Sequence, residues 1–474
     1  MLLRQIFDPY LAQYAYLIGC QRSGEALLID PERDIDQYRD LAAANGLTIT
    51  AVAETHIHAD FVSGAQEFAA DPAVQLYLSA AGGADWSYRW PRGRPKTHLV
   101  SHGDVFTVGR IELQVVHTPG HTPEHICFII TDRGGGADAP LALAAGDFLF
   151  VGDVGRPDLL ESAAGVRDVM EPSARTLQHS LVTKLAALPD FVQVLPGHGA
   201  GSACGKALGA VPVSTLGYER RFNPALKLAL ASADDFVRDI LLGQPNPPLY
   251  FGRMKRVNRD GLPVTGGVPR GQHLTGGALN EAVQAPDIRV LDLRMDVGAF
   301  GAGHIAGAIS APLRSNFFAM AAGSFLTGAE RIVIVVERPE DVDLASRQLY
   351  RIGLDTIYGW LTVEEAAGTG LLSTPSERIQ FASFDPEAAR RRGEILDVRS
   401  TAEFELEHLE GARSFPWTRL REHLAELPRD RTLFVHCASG RRAALAASFL
   451  RSEGLSVVHV DGPFASCGQS CRGS

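Results

Sequence analysis

Short apolar runs closed by glycine, proline or aspartate recur through the first half of the chain, and they predict strands with polar residues at their tips. Tyr14–Gly19 and Glu25–Ile29 read as a hairpin, Asp30-Pro31 breaks the chain, and a helix runs on to about Asn45-Gly46. The run Ile49-Thr50-Ala51-Val52-Ala53 predicts a buried strand that delivers Glu54-Thr55-His56-Ile57-His58-Ala59-Asp60-Phe61. Ile111–Val116 ends in His117-Thr118-Pro119-Gly120-His121-Thr122-Pro123-Glu124-His125, where a glycine and two prolines force a tight turn. Leu141–Ala145 delivers Gly146-Asp147, and Val192–Leu195 delivers Pro196-Gly197-His198-Gly199.

Residues two apart on an extended chain point the same way, so His56, His58 and Asp60 are expected to gather around one point. Imidazoles and a carboxylate around one point are what a metal needs. A lone His-x-His pair is more often a solvated loop, but four strand ends in succession, each closing on His or Asp beside a turn, make a site.

The set Thr55-His56-x-His58-x-Asp60, Thr118-Pro119-Gly120-His121-Thr122, Gly146-Asp147 and Pro196-Gly197-His198-Gly199 resembles the metallo-β-lactamase superfamily over roughly residues 1–260. The fold this implies is an αββα sandwich with metal at one edge of the sheets. The chain departs from the common pattern at Phe61, where the superfamily carries a histidine after the motif aspartate; a phenyl ring cannot ligate, so a second metal loses a donor. What remains resembles the persulfide dioxygenase branch, which implies one Fe(II) per chain held by His56, His121 and Asp147. The same resemblance sets His58, Asp60 and His198 around the metal, orienting its ligands or joining them. Gly155-Arg156-Pro157-Asp158 resembles a segment of that branch in which Arg156 and Asp158 pair and brace the loop after Asp147, with contact to an anionic substrate as the lesser reading. Cys204, in Gly201-Ser202-Ala203-Cys204-Gly205, reads either as a small inert core residue or, by resemblance to multidomain persulfide dioxygenases, as a sulfur-handling thiol.

Proline and glycine crowd residues 245–271, which marks a boundary. Beyond it the chain repeats itself. Arg289-Val290-Leu291-Asp292-Leu293-Arg294 with Gly303-His304 is echoed by Glu394-Ile395-Leu396-Asp397-Val398-Arg399 with Glu407-His408. Both copies resemble rhodanese domains of doubly wound α/β type, so the expected divisions are 1–262, 272–368 and 378–474. In the second copy Leu433–His436 is a strand, Cys437-Ala438-Ser439-Gly440-Arg441-Arg442 a loop, and an alanine-rich helix follows. Backbone N–H groups and the helix dipole there favour a thiolate or a bound persulfide, so Cys437 is the expected sulfur carrier, with Arg441 and Arg442 beside it. Aligning the two helix-ending glycines, Gly353 and Gly454, without a gap sets Val336 opposite Cys437, Pro339 opposite Gly440 and Asp341 opposite Arg442, so the first copy lacks the nucleophile and is expected to be inactive.

Composition narrows the rest. A length of 474 residues fits about three domains, and 45% apolar with 21% charged residues is ordinary globular protein. A net charge of −10 without a basic patch leaves no footprint for nucleic acid, and the opening Met1–Pro9 reads as neither a signal peptide nor a membrane span. Six scattered cysteines, among them Cys467 and Cys471 near the end, read as cytoplasmic thiols and not as a disulfide framework. The function implied is oxidation of a low-molecular-weight thiol persulfide by dioxygen to sulfite, followed by sulfur transfer to make thiosulfate. Glutathione, coenzyme A and bacillithiol all remain open as the carrier, as does self-association into a homo-oligomer. The alternatives are a thioester hydrolase of the glyoxalase II type and a sulfur-relay or binding protein without redox chemistry.

Overall fold

The computed structural model describes residues 1–162, 168–206 and 208–466, with the backbone alone at 472–473; Cys467 and Cys471 lie outside the described residues. The chain divides into two compact units, one of residues 1–247 and 251–267, the other of residues 248–250 and 268–474.

The first unit is built on two six-stranded sheets. One runs β1 (Leu2–Asp8), β2 (Gln13–Cys20), β3 (Glu25–Ile29), β4 (Thr48–Ala53), β5 (Gln75–Ser79) and β6 (Thr97–Val100) in spatial order. The other holds β7 (Val105–Val108), β8 (Ile111–His117), β9 (Ile126–Asp132), β10 (Ala142–Gly146), β11 (Gln193–Pro196) and β12 (Ser214–Thr215). The alternation of side chains along a strand explains the layering. Tyr14, Tyr16 and Ile18 of β2 pack toward the second sheet with Leu113, Val115, Phe128 and Ala144, whereas Ala15 and Leu17 pack outward with Tyr38 and Ala42 of the helix Asp36–Ala44. On the far side Leu143 and Val194 meet Leu177 and Leu181 of the helix Met170–Leu185. Helix, sheet, sheet and helix therefore stack as four layers, the αββα order of the metallo-β-lactamase fold.

Parallel pairings of β3 with β4 and of β10 with β11 set the site. They bring the C-terminal ends of β4, β10 and β11 to the same edge, and β8 reaches that edge with His117. Gly197 sits there because a Cβ at this position would come 2.5 Å from Asp147 Oδ1.

The second unit carries two all-parallel five-stranded sheets of the same topology. The first orders Gln272–His273, Ile357–Thr362, Arg331–Val336, Ile288–Asp292 and Ile309–Ser310; the second orders Arg378–Gln380, Val457–Asp461, Thr432–His436, Gly393–Asp397 and Ala412–Ser414. The two halves are fused through packed side chains: Phe325 stacks on Phe449 at 4.5 Å, and the Ser310 N–H donates to Ser448 Oγ at 3.0 Å. Among the described residues no helix is long and apolar enough to cross a membrane.

Candidate functional site

The hydrogen bonds around the histidines determine which ring nitrogen each one offers. Thr55 Oγ1 donates to Asp30 Oδ2 at 2.7 Å, so its lone pair accepts from His56 Nδ1–H at 3.0 Å. His121 Nδ1–H donates to the Arg156 carbonyl at 2.9 Å, and His198 Nδ1–H to the Ala12 carbonyl at 3.2 Å. In each ring Nε2 is left with a free lone pair.

All three lone pairs converge on Asp147. Its Oδ2 lies 4.0 Å from His56 Nε2 and 3.5 Å from His121 Nε2, and its Oδ1 lies 3.5 Å from His198 Nε2. Both Asp147 oxygens are buried without a hydrogen-bond donor, as are His198 Nε2 and Asp60 Oδ2. A buried carboxylate facing unprotonated nitrogens is costly unless a cation stands between them. The donor set therefore fits a metal ion, with His56, His121 and Asp147 forming one cluster whose candidate ligand atoms all lie within 4.8 Å of one another. Burial pushes the pKa of His56 and of His121 down, which favours the neutral ring a metal binds.

Asp60, His198 and Cys204 form a second cluster on the Oδ1 side of Asp147, with His198 Nε2 3.4 Å from Asp60 Oδ2. Cys204 is buried, and burial with the Asp60 and Asp147 charges pushes its thiol well above the usual range. Arg156 is fully buried in a bidentate pair with Asp158 (2.8 and 2.6 Å) and donates to the Ala203 carbonyl at 2.9 Å. One side chain thus ties together the loop after Asp147, the carbonyl beneath His121 and the turn before Cys204.

His58 is the departure from the extended-chain expectation. The segment after β4 turns, so positions two apart do not share a direction, and His58 swings away from the cluster. Its Nε2 lies 3.2 Å from Asp30 Oδ1 and 3.1 Å from Glu54 Oε2. Burial opposes its charge, but the two carboxylates outweigh burial and raise its pKa well above the usual histidine range. Phe61 is fully buried with its ring 4.4 Å from that of His58.

Several residues that shape this edge escaped the motif reading. Asp30 accepts from the Thr55 N–H at 2.7 Å and holds a left-handed backbone, φ +51°. Glu124 accepts from the Ile57 N–H at 2.8 Å; burial raises its carboxyl to about 7. His125 Nε2 accepts from the Asp147 N–H at 3.1 Å. Asn258, on the helix Phe251–Asp260, donates to the carbonyls of His58 and Phe61 at 2.8 and 2.7 Å and accepts from the Ser63 N–H. The polar run Arg253–Asp260 held one weak signal, an asparagine among basic residues.

In the second unit Cys437 follows the strand Thr432–His436, fully buried. Its Sγ accepts from the Gly440 N–H at 3.2 Å and the Ala443 N–H at 3.4 Å, at the start of the helix Arg441–Ser452. Gly440 takes φ +89°, the left-handed turn that aims those donors at the sulfur. Arg442 forms a bidentate pair with Glu403 at 2.6 and 2.7 Å, whereas Arg441 is exposed. Strand register supplies the comparison with the other copy. Asp397 pairs with His436, and Asp292 pairs with Val335, so the residue after each, Cys437 and Val336, occupies the same position. Val336 is fully buried, and Asp341 below it is tied to Arg314 at 2.7 Å.

Known proteins fit this geometry. The metallo-beta-lactamase superfamily profile matches residues 9–198, and the rhodanese-like domain profile matches residues 385–467. The mitochondrial persulfide dioxygenase ETHE1 of Bos taurus is 31% identical over 246 residues, spanning 50% of this chain and 80% of that protein. The Homo sapiens protein of the same name is 30% identical over 254 residues, spanning 52% and 83%. A crystal structure of a metallo-beta-lactamase from Staphylococcus aureus subsp. aureus COL is 38% identical, with a TM-score of 0.64, over 76% of this chain and 99% of that one. The chain belongs to the persulfide dioxygenase family of the metallo-β-lactamase superfamily and carries a rhodanese-like domain at its C-terminal end.

Proposed function

We propose that the first unit is an Fe(II)-dependent dioxygenase for a low-molecular-weight thiol persulfide, and that the C-terminal rhodanese domain moves sulfane sulfur through Cys437. The observation that carries this is the convergence of free imidazole Nε2 atoms on a buried Asp147 carboxylate that has no donor of its own. Two histidines and one carboxylate on one side of a site are the donor set of non-haem iron oxygenases. His56, His121 and Asp147 would hold one iron(II) ion per chain, which when bound would supply the redox chemistry that dioxygen and a persulfide need.

The residues around it then have defined work. Asp30 and Thr55 hold His56 with Nε2 forward, and the Arg156 carbonyl does the same for His121. Asp60 and His198 stand on the other side of Asp147 and can accept the protons the reaction releases. The overall chemistry balances as R–S–SH + O2 + H2O giving R–SH, sulfite and two protons, the terminal sulfur losing four electrons to dioxygen. Transfer follows at the second site: the Cys437 thiolate takes the outer sulfur of a second R–S–SH and R–S⁻ leaves, then sulfite attacks that outer sulfur, the S–S bond breaks, thiosulfate leaves, and the Cys437 thiolate is received by the Gly440 and Ala443 N–H groups. Arg442, itself anchored by Glu403, adds positive charge beside that anion. The copy with Val336 in the nucleophile position is a scaffold. The divisions we assign are 1–262 for the dioxygenase, 272–368 for the inactive copy and 378–474 for the transferase.

The Asp60–His198–Cys204 cluster favours a second reading, a two-metal thioester hydrolase. Metal analysis joined to an oxygen electrode separates the two. The dioxygenase contains one iron per chain and consumes one dioxygen for each sulfite formed. Two metals at full occupancy, thioester cleavage and no oxygen uptake would establish the hydrolase instead.

A further inference from the structure

A loop that turns its N–H groups toward a sulfur must send its carbonyls the other way, because each peptide is planar and trans. In the loop Cys437–Arg442 two of those carbonyls are held by the neighbouring strand Val457–Asp461 and the turn after it. The Ala438 carbonyl accepts from the Phe464 N–H at 2.9 Å. The Gly440 carbonyl lies 3.0 Å from His459 Nε2, and since a carbonyl only accepts, that nitrogen carries the proton. The same carbonyl accepts from the Ala444 N–H at 2.9 Å, the first bond of the helix Arg441–Ser452. Its peptide therefore sends the Arg441 N–H out of the helix start. His459 is buried, and burial brings its pKa down to about 4, so the ring stays neutral. Asp461 limits the same turn: a Cβ on Gly440 would run into Asp461 Oδ1, and Arg378 pairs with that carboxylate at 3.5 Å.

The half that carries Val336 lacks this arrangement. Val435 pairs with His459, and Ile334, the residue before Val335, pairs with Trp360, so Trp360 holds the position of His459. Its indole stacks on His273 at 4.1 Å. Thr362 holds the position of Asp461 and caps the helix Val363–Gly368 instead. The imidazole stands beside the half with the cysteine and is missing beside the half without it.

We propose that His459 is a positioning residue for Cys437: its Nε2–H holds the Gly440 peptide so that the N–H groups at the helix start stay turned to the sulfur, as thiolate and as persulfide. This deepens the sulfur-transfer reading of Cys437 and rests on it.

The test uses the full chain. His459→Leu removes the donor but leaves the Gly440 carbonyl its bond from Ala444, and His459→Gln carries an amide nitrogen as many bonds from Cα as Nε2. His459→Asn, one bond too short, stands in for His459→Leu if that variant does not fold. Alkylation of Cys437 by iodoacetamide is followed on its own peptide by mass spectrometry. The rate at about pH 7 is divided by the rate at about pH 10, so that access cancels and thiolate stabilisation remains. Transfer is followed as thiosulfate formed from glutathione persulfide and sulfite. In His459→Leu the alkylation ratio is expected to fall about fivefold and kcat about tenfold, with the KM for sulfite less affected. His459→Gln should restore most of both, and oxygen uptake should be unchanged in either variant. No change in either readout overturns the positioning role, as do equal losses in His459→Leu and His459→Gln with an equal fall in thermal midpoint. An alkylation ratio that falls in His459→Leu and recovers in His459→Gln, in a chain that forms no thiosulfate even unsubstituted, leaves the positioning role standing and removes the transfer reading.

Discussion

Asp147 is the residue on which the metal centre turns, because its two oxygens face different histidines and no hydrogen-bond donor relieves its charge. Asp147→Ala is expected to abolish iron retention and oxygen uptake while leaving Cys437-dependent transfer intact, which metal analysis and a thiosulfate assay on the same sample will check. Asp30 acts one step further out. Removing its carboxylate in Asp30→Ala frees Thr55 and lets His56 turn, so iron affinity should fall roughly 10- to 100-fold, measured by equilibrium dialysis against a competing chelator. The buried cysteines divide along the same line. Cys437 lies among backbone donors, whereas burial and neighbouring carboxylates hold the Cys204 thiol in its neutral form.

Among the elements, the helix Phe251–Asp260 and the segment after β4 depend on each other. Asn258 satisfies two carbonyls and one N–H of a turn that has no ladder of its own. Asn258→Leu leaves all three unpaired and should cost the first unit about 3 kcal/mol, a fall of roughly 6–10 °C in its thermal midpoint by calorimetry, with iron content reduced. In the second unit the helices Thr401–Leu406 and Arg441–Ser452 are joined by Glu403 and Arg442. Burial alone would raise the Glu403 carboxyl, but Arg442 and the Ser400 donors outweigh it and bring it from 4.5 down to about 2. A depressed carboxyl contributes stability that is complete above the unfolded pKa and lost as pH falls through the folded one. The second unit should therefore lose stability between about 4.5 and 2 beyond what Glu403→Gln loses, a difference that acid titration followed by near-UV dichroism will show.

At the scale of the molecule the two proposed chemistries belong to separate compact units, since among the described residues every candidate metal cluster lies in the first and Cys437 lies in the second. Cys437→Ser should accordingly leave oxygen uptake unchanged, let sulfite accumulate and stop thiosulfate formation, with oxygen, sulfite and thiosulfate counted in one reaction. Thiosulfate at the wild-type rate in that variant would move the carrier role to Cys204. Within the second unit the half that carries Val336 packs on the half that carries Cys437: its helix Phe317–Phe325 is buried on nearly every side, and the Phe325 carbonyl accepts from Arg421 of the other half at 2.6 Å.

The candidate site residues were legible because strand propensity, turn glycines and ligand side chains coincide within a few positions of one another. His56, His121, Asp147 and His198 each sit at the tip of an apolar run, and the helix-ending glycines Gly353 and Gly454, aligned without a gap, set Val336 against Cys437. The direction of His58 was not legible, because it depends on the chain leaving β4 in a turn and on Asp30 and Glu54 waiting where it turns. Nor were Glu124 and Asn258, whose contacts reach across as many as 200 residues of chain. Local sequence determines which side chains a strand end can offer; only the packed sheets and the helix laid against them decide which of those side chains meet.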